Sequence, residues 1–287
     1  MKRRSLLSLF LLTACLAVCG GNSSTSSTAQ KEKLYVGLEC NYAPFNWTEN
    51  TKTDTNYEIS GTKAYAEGYD VQVAIRIANE LDKELVIKKL EWDALIPSVL
   101  EGTIDLIIAG MSPTEERKID IDFTEPYYTS EHVLLVDSNN KYANAESVED
   151  LSGARISGQI GTLYYKIAHA IPNVAEGNFD KHTVPEIVTD LTTGIIDGTV
   201  LELPVAQGLV TSNPELKIVR FAEGKGFTKL MEDDGTIRDI EDTDRDVSIG
   251  LAKNREELKT SINNVLASIS ADDRAQIMQT AVIQQGA

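Results

Sequence analysis

Two hydrophobic patterns alternate along the chain. Short continuous apolar runs, such as residues 34–38 and 106–108, are bounded by turn residues, and such runs are typical of strands covered on both faces. Between these runs, apolar residues recur at three- and four-residue spacing, as Val71, Ile75 and Ala78 do, and this spacing predicts amphipathic helices. The alternation of strands and helices predicts an α/β fold with parallel sheets.

The predicted elements fall into two successive series. The first series begins with the strand at 34–38, and the second begins with an apolar strand at 133–136. A return strand at 247–251 and two C-terminal helices complete the chain. Two α/β lobes with a cleft between them are therefore expected. The acidic segment at 232–246 is expected to be an exposed excursion, because a run of like charges favours solvent.

One strand end carries polar groups that suit an anion. After the apolar strand at 106–108 come Gly110, Ser112, Thr114 and Arg117. Ligands of open α/β sheets bind beyond the carboxyl ends of strands, and glycine allows a close backbone approach. A guanidinium beyond two hydroxyls suits a planar carboxylate, which it can hold by two parallel hydrogen bonds. The alternative is an ordinary strand-to-helix loop with a surface arginine.

Composition agrees with a soluble globular protein and narrows its partners. The 287 residues are 42% hydrophobic and 25% charged, as in ordinary globular domains. The formal net charge of −17 argues against nucleic acid, since phosphates need basic residues to neutralise them. His132, His169 and His182 are scattered, without an acid and a nucleophile spaced as a catalytic triad. The sequence therefore predicts no enzyme, no cofactor and no metal site.

The N-terminus resembles a bacterial lipoprotein signal. Basic residues 2–4 precede the apolar run 6–12, which is too short to span a bilayer. Small residues before Cys15 and Cys19 resemble a lipobox, in which the cysteine is lipidated. Cys15 fits the motif better and is preferred as the lipidated residue, whereas Cys19 fits the usual length of the apolar run better. The alternative to a lipoprotein is a freely secreted protein. Residues 22–30 are rich in Ser and Thr and are expected to be a flexible tether.

Several motifs, in order over residues 33–283, resemble those of the bacterial extracellular solute-binding proteins of family 3. They are Tyr42-Ala43-Pro44-Phe45, Gly68-Tyr69-Asp70-Val71-Gln72-Val73, the segment Trp92 to Pro97 followed by Gly102 and Asp105, and Thr114 to Arg117 followed by Phe123-Thr124-Glu125-Pro126-Tyr127. Gln72 stands where the family has a second acid, on a helix face. Members of this family serve bacterial ABC importers of polar amino acids.

The resemblance implies a two-lobed, periplasmic-binding-protein-like fold of type II, with the ligand cleft between the lobes and two hinge strands. Lobe 1 would comprise residues 31–131 and 247–287, and lobe 2 residues 132–246. The hinges would fall near 129–132 and just before Val247, and the lobes would close on the ligand. The implied partners are a free L-amino acid and the permease and ATPase complex of an importer. The protein itself is expected to be a monomer.

The resemblance also assigns groups to the constant part of an amino acid. For the carboxylate it implies Arg117 and Ser112, with a backbone N–H at Thr162, where a helix begins and can bind an anion. The alternative for Thr162 is an ordinary helix N-cap. For the ammonium it implies Glu202, completed by the Gly110 carbonyl and the Ser112 hydroxyl.

Choice among amino acids is expected to depend on three further residues. The resemblance places Tyr42 and Trp92 as aromatic walls around the ligand side chain, although Trp92 alone is also compatible with plain core packing. Glu39 occupies an acidic position used by relatives that bind lysine, arginine or histidine. We therefore expect a cationic amino acid, with glutamine or another polar amino acid as the alternative. The fold by itself is also compatible with an enzyme, such as a dehydratase, and with a ligand-sensing module.

Overall fold

The structure is a computed structural model, and it describes residues 31–285 of the chain. The strands, in chain order, are β1 (Lys33–Leu38), β2 (Asn41–Tyr42), β3 (Asn46–Glu49), β4 (Tyr57–Glu58), β5 (Tyr65–Glu67), β6 (Glu84–Lys89), β7 (Leu106–Ile107), β8 (Ile121–Phe123), β9 (Tyr128–Thr129), β10 (His132–Asp137), β11 (Ile156–Ser157), β12 (Gly198–Glu202), β13 (Leu216–Val219), β14 (Lys229–Met231), β15 (Ile237–Asp239), β16 (Asp246–Val247) and β17 (Gly250–Ala252). The helices are α1 (Tyr69–Glu80), α2 (Leu95–Leu100), α3 (Glu115–Asp120), α4 (Leu163–Ala170), α5 (Val184–Thr192), α6 (Leu203–Ser212), α7 (Glu256–Ser268) and α8 (Ala271–Gln284). Short 3-10 turns cover Trp92–Ala94, Lys141–Asn144, Val148–Leu151 and Asp242–Arg245.

The first large sheet has the strand order β6-β1-β7-β17-β8. Strands β6, β1 and β7 are parallel, while β17 runs antiparallel to β7 and β8. The apolar runs at 34–38 and 106–108 are both strands of this sheet, and Val36, Leu38 and Ile107 are fully buried. The continuous apolar pattern therefore correctly predicted strands covered on both faces.

The second large sheet has the order β11-β12-β10-β13. Strands β11 and β12 are parallel, whereas β10 pairs antiparallel with both β12 and β13. This sheet is therefore mixed rather than purely parallel. Its central strand β10 is the apolar run at 133–136, and all four of those residues are buried. The second sheet, like the first, is a strand layer covered by helices.

Two short strands accompany the chain as it passes between the large sheets. Strand β9 precedes β10, strand β16 precedes β17, and the two pair antiparallel, with Thr129 opposite Asp246 and Tyr128 opposite Val247. The predicted hinges lie at or next to this pair. The two-lobed α/β architecture is confirmed, while the lobe boundaries at 131 and 247 stay predictions.

The acidic segment is more ordered than the charge pattern suggested. Strands β14 and β15 form a hairpin whose Leu230 is fully buried, and β14 lies against α4. Arg238 bonds to both Glu232, at 2.5 Å, and Asp244, at 2.6 Å. Most of the segment is exposed, as expected. Leu230, just before it, packs into the core of the second sheet, and Arg238 neutralises two of the segment's acids. The prediction of an exposed excursion therefore holds for most of these residues, although the hairpin also packs against α4.

The polar stretch after β3 also takes a defined form. Strands β2, β3, β5 and β4 pair in that order as a small antiparallel sheet. None of the helices within residues 31–285 combines the length and apolar character that a membrane span requires. The N-terminal signal and its two cysteines lie outside the described residues.

Candidate ligand-binding site

The first sheet presents its polar residues at one edge. Glu39 directly follows β1, Trp92 lies just after β6, and Gly110 lies just after β7. These three strands are parallel neighbours, so their carboxyl ends meet at the same edge. This is the edge at which open α/β sheets bind ligands.

The second sheet contributes by the same rule. Gln159 and Thr162 follow β11, and Glu202 is the last residue of β12, its parallel neighbour. Residues from both sheets line one cavity: Glu39, Tyr42, Trp92, Gly110, Ser112, Arg117, Gln159, Thr162, Leu163 and Tyr164. All the predicted ligand-binding residues except Glu202 line this cavity. Glu202 is connected to it through a hydrogen bond with Tyr42.

The cavity is closed. Its volume is only about 10 Å³, which is enough for a single water molecule. An amino acid is many times larger. An amino acid can therefore occupy this cavity only if the loops of the two sheets move apart, although Trp92, Arg117, Thr162 and Leu163 also line a neighbouring cavity of about 280 Å³.

Arg117 spans the two sides of the cavity. One guanidinium nitrogen donates to the carbonyl of Ser112 at 2.7 Å, and the other donates to the carbonyl of Gly161, in the second-sheet loop, at 3.0 Å. The guanidinium carbon lies 5.2 Å from the centre of the Trp92 ring, within cation–π range. Burial lowers the pKa of Arg117 to about 10. Its partners are neutral, so the cation remains available to an anionic ligand.

Thr114 and Trp92 hold Arg117 in place. Thr114 caps α3, since its hydroxyl accepts from the backbone N–H of Arg117 at 3.4 Å. The indole N–H of Trp92 donates to the Gly161 carbonyl at 3.0 Å, the same oxygen that Arg117 contacts. Trp92 is thus part of the cavity wall rather than of the core alone.

Thr162 is the N-cap of α4, and its geometry differs from the predicted one. Its hydroxyl accepts from the N–H of Tyr165 at 3.4 Å and donates to the carbonyl of Gln159 at 2.7 Å. Its own N–H is directed at the same carbonyl, at 3.2 Å, in a turn. The expectation that this N–H is free for a ligand is therefore not met. The first-turn N–H groups without an intrahelical acceptor belong to Leu163 and Tyr164, which also line the cavity.

Glu202 is fully buried and reaches the cavity through a tyrosine. The hydroxyl of Tyr42 donates to one of its carboxylate oxygens at 2.5 Å. Burial raises the pKa of Glu202 to about 8, although the hydroxyls of Tyr42 and Tyr164 act in the opposite direction. The other carboxylate oxygen is buried and has no hydrogen-bond partner among residues 31–285. A buried carboxylate with spare acceptor capacity suits an ammonium group.

Gly110 is required by the close approach of Tyr42. Its φ of 63° lies in the left-handed region, and a β-carbon there would come within 2.9 Å of the Tyr42 ring. The prediction of a close backbone approach at Gly110 is confirmed, with the tyrosine as the approaching group.

Glu39 has a different environment from Glu202. It is 3% exposed, and the side-chain amide of Gln159 donates to it at 3.2 Å across the cavity. Burial raises the pKa of Glu39 to about 7, the Gln159 hydrogen bond lowers it, and the charges of Glu91 and Asp93 raise it further. A neutral amide does not compensate a buried negative charge, so this position favours a cation.

Gln159 is the main residue that the sequence analysis missed. Its side-chain amide also donates to the carbonyl of His182 at 2.9 Å, which fixes its orientation towards Glu39. Gln159 follows a strand end two residues before the Gly161-Thr162 pair, so the strand-end rule that identified Gly110 could have identified it too. Leu163 and Tyr164 were predicted only as part of a helix. No group of three or more potential metal ligands occurs within residues 31–285.

A family model and several known proteins match this chain. The model of the bacterial extracellular solute-binding proteins, family 3, matches residues 34–282. A probable histidine-binding protein of Campylobacter jejuni is 32% identical over 238 residues, which are 79% of this chain and 85% of the relative. The arginine-binding extracellular protein ArtP of Bacillus subtilis is 27% identical over 209 residues, covering 72% and 74% of the two chains.

A solved structure also resembles this one over most of its length. It is that of the amino acid ABC transporter substrate-binding protein AbpA from Streptococcus pneumoniae, bound to L-arginine. The TM-score is 0.70 at 26% identity, with 89% of this chain and 96% of the other covered. The family match extends over nearly the whole described chain and includes both sheets. This chain therefore belongs to family 3 of the bacterial extracellular solute-binding proteins.

Proposed function

We propose that this protein captures a free cationic amino acid, such as arginine, lysine or ornithine, outside the cytoplasm and delivers it to the permease and ATPase complex of an ABC importer. The observation that carries the proposal is the buried carboxylate of Glu39, which faces only the neutral amide of Gln159 across the cavity. A ligand cation at this position would satisfy a charge that the protein leaves uncompensated.

The constant part of the amino acid has its own partners. The ligand carboxylate would replace the Ser112 and Gly161 carbonyls as the partner of Arg117, because a charge-assisted pair is stronger than a bond to a neutral oxygen. The N–H groups at the start of α4 would add to this contact. The ligand ammonium would lie against Glu202, the Gly110 carbonyl and the Ser112 hydroxyl.

The side chain of the ligand would extend between Tyr42 and Trp92 towards Glu39 and Gln159. The relatives named for arginine and histidine support a cationic side chain. Glutamine is the second candidate, because the Glu39–Gln159 pair also offers an acceptor and a donor to a neutral amide.

Binding would proceed by closure of the two lobes. Glu39, Tyr42, Trp92 and Arg117 lie on the first-sheet side and Gln159 on the other, and the cavity between them, about 10 Å³, is too small for an amino acid. The paired strands β9 and β16 are the natural pivot, because they are the connections between the large sheets.

A screen of the twenty amino acids by thermal shift, followed by calorimetry, tests this proposal. A ligand present at about a hundredfold its Kd stabilises the folded protein by about 2.7 kcal/mol. We expect arginine, lysine or ornithine to give the largest shift. L-citrulline is the matched control, since it replaces the guanidinium of arginine by a neutral group of nearly the same shape. If no amino acid raises the Tm, the proposed function is wrong; if citrulline equals arginine, the cationic preference is wrong.

The proposed role is binding without catalysis. The cavity residues each match a group of an intact amino acid, and the relatives named above are binding proteins. The bound amino acid should be recovered chemically unchanged after prolonged incubation, as measured by mass spectrometry. A stoichiometric or catalytic conversion of the ligand would indicate an enzyme instead.

We further propose a lipid anchor at Cys15, or else at Cys19, with residues 22–30 as a tether to the outer face of the cell membrane. The basic and apolar N-terminal pattern supports this proposal. Cells fed a palmitate analogue should label the protein, and Cys15→Ser should abolish the label. Loss of label in Cys19→Ser alone would move the anchor to Cys19, and an unlabelled wild-type protein would refute the anchor.

A further inference from the structure

A third buried carboxylate lies outside the cavity. Asp70, in the first turn of α1, is fully buried and is not a lining residue. The hydroxyl of Tyr127 donates to one of its oxygens at 2.6 Å, and the side-chain amide of Asn46 donates to the other at 2.8 Å. Burial raises the pKa of Asp70 to about 6, against the effect of these hydrogen bonds and of the Gly110 N–H. A buried carboxylate with neutral partners is costly, so a packing role alone does not account for it.

Each partner of Asp70 continues to one loop of the site. The Tyr127 hydroxyl accepts from the backbone N–H of Gly110 at 3.2 Å. The carbonyl oxygen of the Asn46 side chain accepts from the backbone N–H of Cys40 at 2.7 Å. Gly110 lies in the loop after β7 and Cys40 in the loop after β1. One carboxylate therefore connects two separate site loops, each through a single intermediate side chain.

The backbone at both ends of this relay is in an uncommon conformation. Gly110 has a φ of 63° and Cys40 a φ of 56°, both in the left-handed region. For Cys40, a residue with a β-carbon, this conformation is unfavourable unless surrounding contacts fix it. Cys40 lies between Glu39 and Tyr42 in the chain, so its conformation sets the direction in which these two cavity side chains leave the backbone.

The direction of the hydrogen bonds makes the carboxylate specific. An ionised carboxylate is an acceptor only, and both of its neighbours donate to it. An asparagine in its place would turn its NH₂ group towards either the Tyr127 hydroxyl or the Asn46 NH₂ group. Turned towards Asn46, the NH₂ group would face another donor; turned towards Tyr127, it would make the hydroxyl accept and direct its own O–H elsewhere. Either way one arm is disturbed and one loop loses support.

We propose that Asp70 is a positioning residue of the amino-acid site, which through Tyr127 and Asn46 holds the Gly110 and Cys40 backbone in the conformation that the ligand meets. The Tyr127 arm serves the proposed ammonium contact at Gly110. The Asn46 arm serves the ligand side chain, since it fixes the loop that carries Glu39 and Tyr42. The role of the two loops in binding rests on the proposed function. The hydrogen bonds that connect them to Asp70 can be tested without a ligand.

Amide hydrogen exchange of the ligand-free protein tests the relay directly. Tyr127→Phe removes only a hydroxyl and retains the ring that stacks on Tyr69, with centroids 5.9 Å apart. It should accelerate exchange at Gly110 about tenfold or more and leave Cys40 unchanged. Asn46→Ala should do the reverse, and Asp70→Asn should accelerate exchange at one or both. Tyr128→Phe, which removes the next hydroxyl along the chain, is the control. Equal acceleration at all buried amides would mean lost stability alone and would overturn the relay.

Calorimetry with L-arginine and 5-guanidinopentanoate then tests the link to binding. The second compound is arginine without its ammonium. Tyr127→Phe should reduce the preference for arginine about tenfold and change the affinity for the analogue little. If the single-arm variants behave as expected in exchange but bind arginine as the wild type does, positioning for binding is overturned. If these variants show the expected hydrogen exchange but the wild type binds no amino acid, the hydrogen-bond relay is supported and the proposed function is wrong. If Asp70→Asn does not fold, the two single-arm variants carry the test.

Discussion

Two buried carboxylates belong to the candidate site, Glu39 as a lining residue of the cavity and Glu202 through Tyr42, and their partners differ. Glu202, on the second sheet, accepts a hydrogen bond from the hydroxyl of Tyr42 at 2.5 Å and lies in the region proposed to contact the constant part of an amino acid. Glu39, after the first strand, receives only the amide of Gln159 at 3.2 Å. Burial raises the pKa of both, to about 8 for Glu202 and about 7 for Glu39.

The difference separates general from selective recognition. The region of Arg117 and Glu202 holds one positive and one negative group, which together match the zwitterion present in every amino acid. The region of Glu39 and Gln159 holds one negative group and one amide, and it matches only some side chains. A site built in this way can change its choice of ligand at Glu39 while its affinity for the constant part is retained. The following experiments separate the two regions.

The largest effect is expected from Arg117→Ala. Truncating one partner of a buried charge pair costs about 2–5 kcal/mol, so the Kd of every amino-acid ligand should rise about 30- to 5,000-fold. Calorimetry with arginine and glutamine measures this change. Lys118→Ala is the matched control, because Lys118 is the exposed neighbour and pairs with Glu115 on the same helix. A variant that retains affinity for one ligand class only would show that Arg117 does not belong to the general region.

Glu39→Gln should act on cationic ligands alone. The loss of a hydrogen bond to a charged group is worth about 1.5–3 kcal/mol, which corresponds to a Kd for arginine about 10- to 100-fold higher. Binding of citrulline or glutamine should change much less. Equal losses for charged and neutral ligands would remove the distinction between the two regions.

The same residue predicts a pH dependence. Folding raises the pKa of Glu39 from its ordinary value near 4.5 to about 7. The folded protein is therefore most favoured by this group below pH 4.5, where the carboxyl is protonated, and this contribution to stability is lost as the pH rises through 7. A ligand cation favours the ionised form, so arginine binding should release protons below pH 7 and tighten as the pH rises through 7. Calorimetry in buffers of different ionisation enthalpy detects this release. The part of the release that comes from Glu39 should be absent in Glu39→Gln, whereas Glu202, whose pKa is raised to about 8, should still release protons when the ligand ammonium binds.

The smallest effect is expected at a contact outside both regions. Lys166 on α4 bonds to Glu116 on α3 at 2.6 Å and also lies 3.2 Å from Glu232 and 3.1 Å from Asp233. The Glu116 pair connects the two sides of the cleft and is half-exposed, so Glu116→Gln should speed ligand dissociation no more than about fivefold.

The effect of Glu116→Gln should disappear in high salt, where exposed charges are screened. Glu115→Gln breaks a pair within α3 and is the control for stopped-flow measurement of dissociation. An equal change in the dissociation rate of all ligands would show that the Lys166–Glu116 pair stabilises the closed cleft. A change for cationic ligands alone would show that it acts together with Glu39.

The sequence was sufficient for the parts of the site that local pattern determines. The apolar runs identified β1 and β7, and the strand-end rule placed Gly110, Ser112 and Arg117 at the edge where the cavity lies. The family motifs added Glu39 and Glu202 at positions that the structure places next to the same cavity. The positions of these residues could be predicted because each lies close in sequence to an element that is easily recognised, while their contacts with a ligand stay predictions.

The remaining features depend on contacts between distant residues. Tyr42 and Glu202 are 160 positions apart, and no local pattern indicates that the tyrosine donates a hydrogen bond to the carboxylate. Gln159 is a neutral residue whose role arises only when the second sheet brings it to Glu39, 120 positions away. The Thr162 N–H was assigned to a ligand because the turn that directs it to Gln159 could not be seen in the sequence. Leu230 anchors an acidic segment whose charges alone suggested solvent exposure.

The hydrogen bond from Trp92 to Gly161 has a consequence for spectroscopy. It joins an indole on one side of the cleft to a carbonyl on the other, and the Arg117 cation lies over the same ring. The chain has two tryptophans, and the other, Trp47, is bonded to Glu49, two residues away. Opening of the cleft would change the surroundings of Trp92 and leave those of Trp47 as they are. The emission of this protein is therefore an internal gauge of its closure, readable without any added dye.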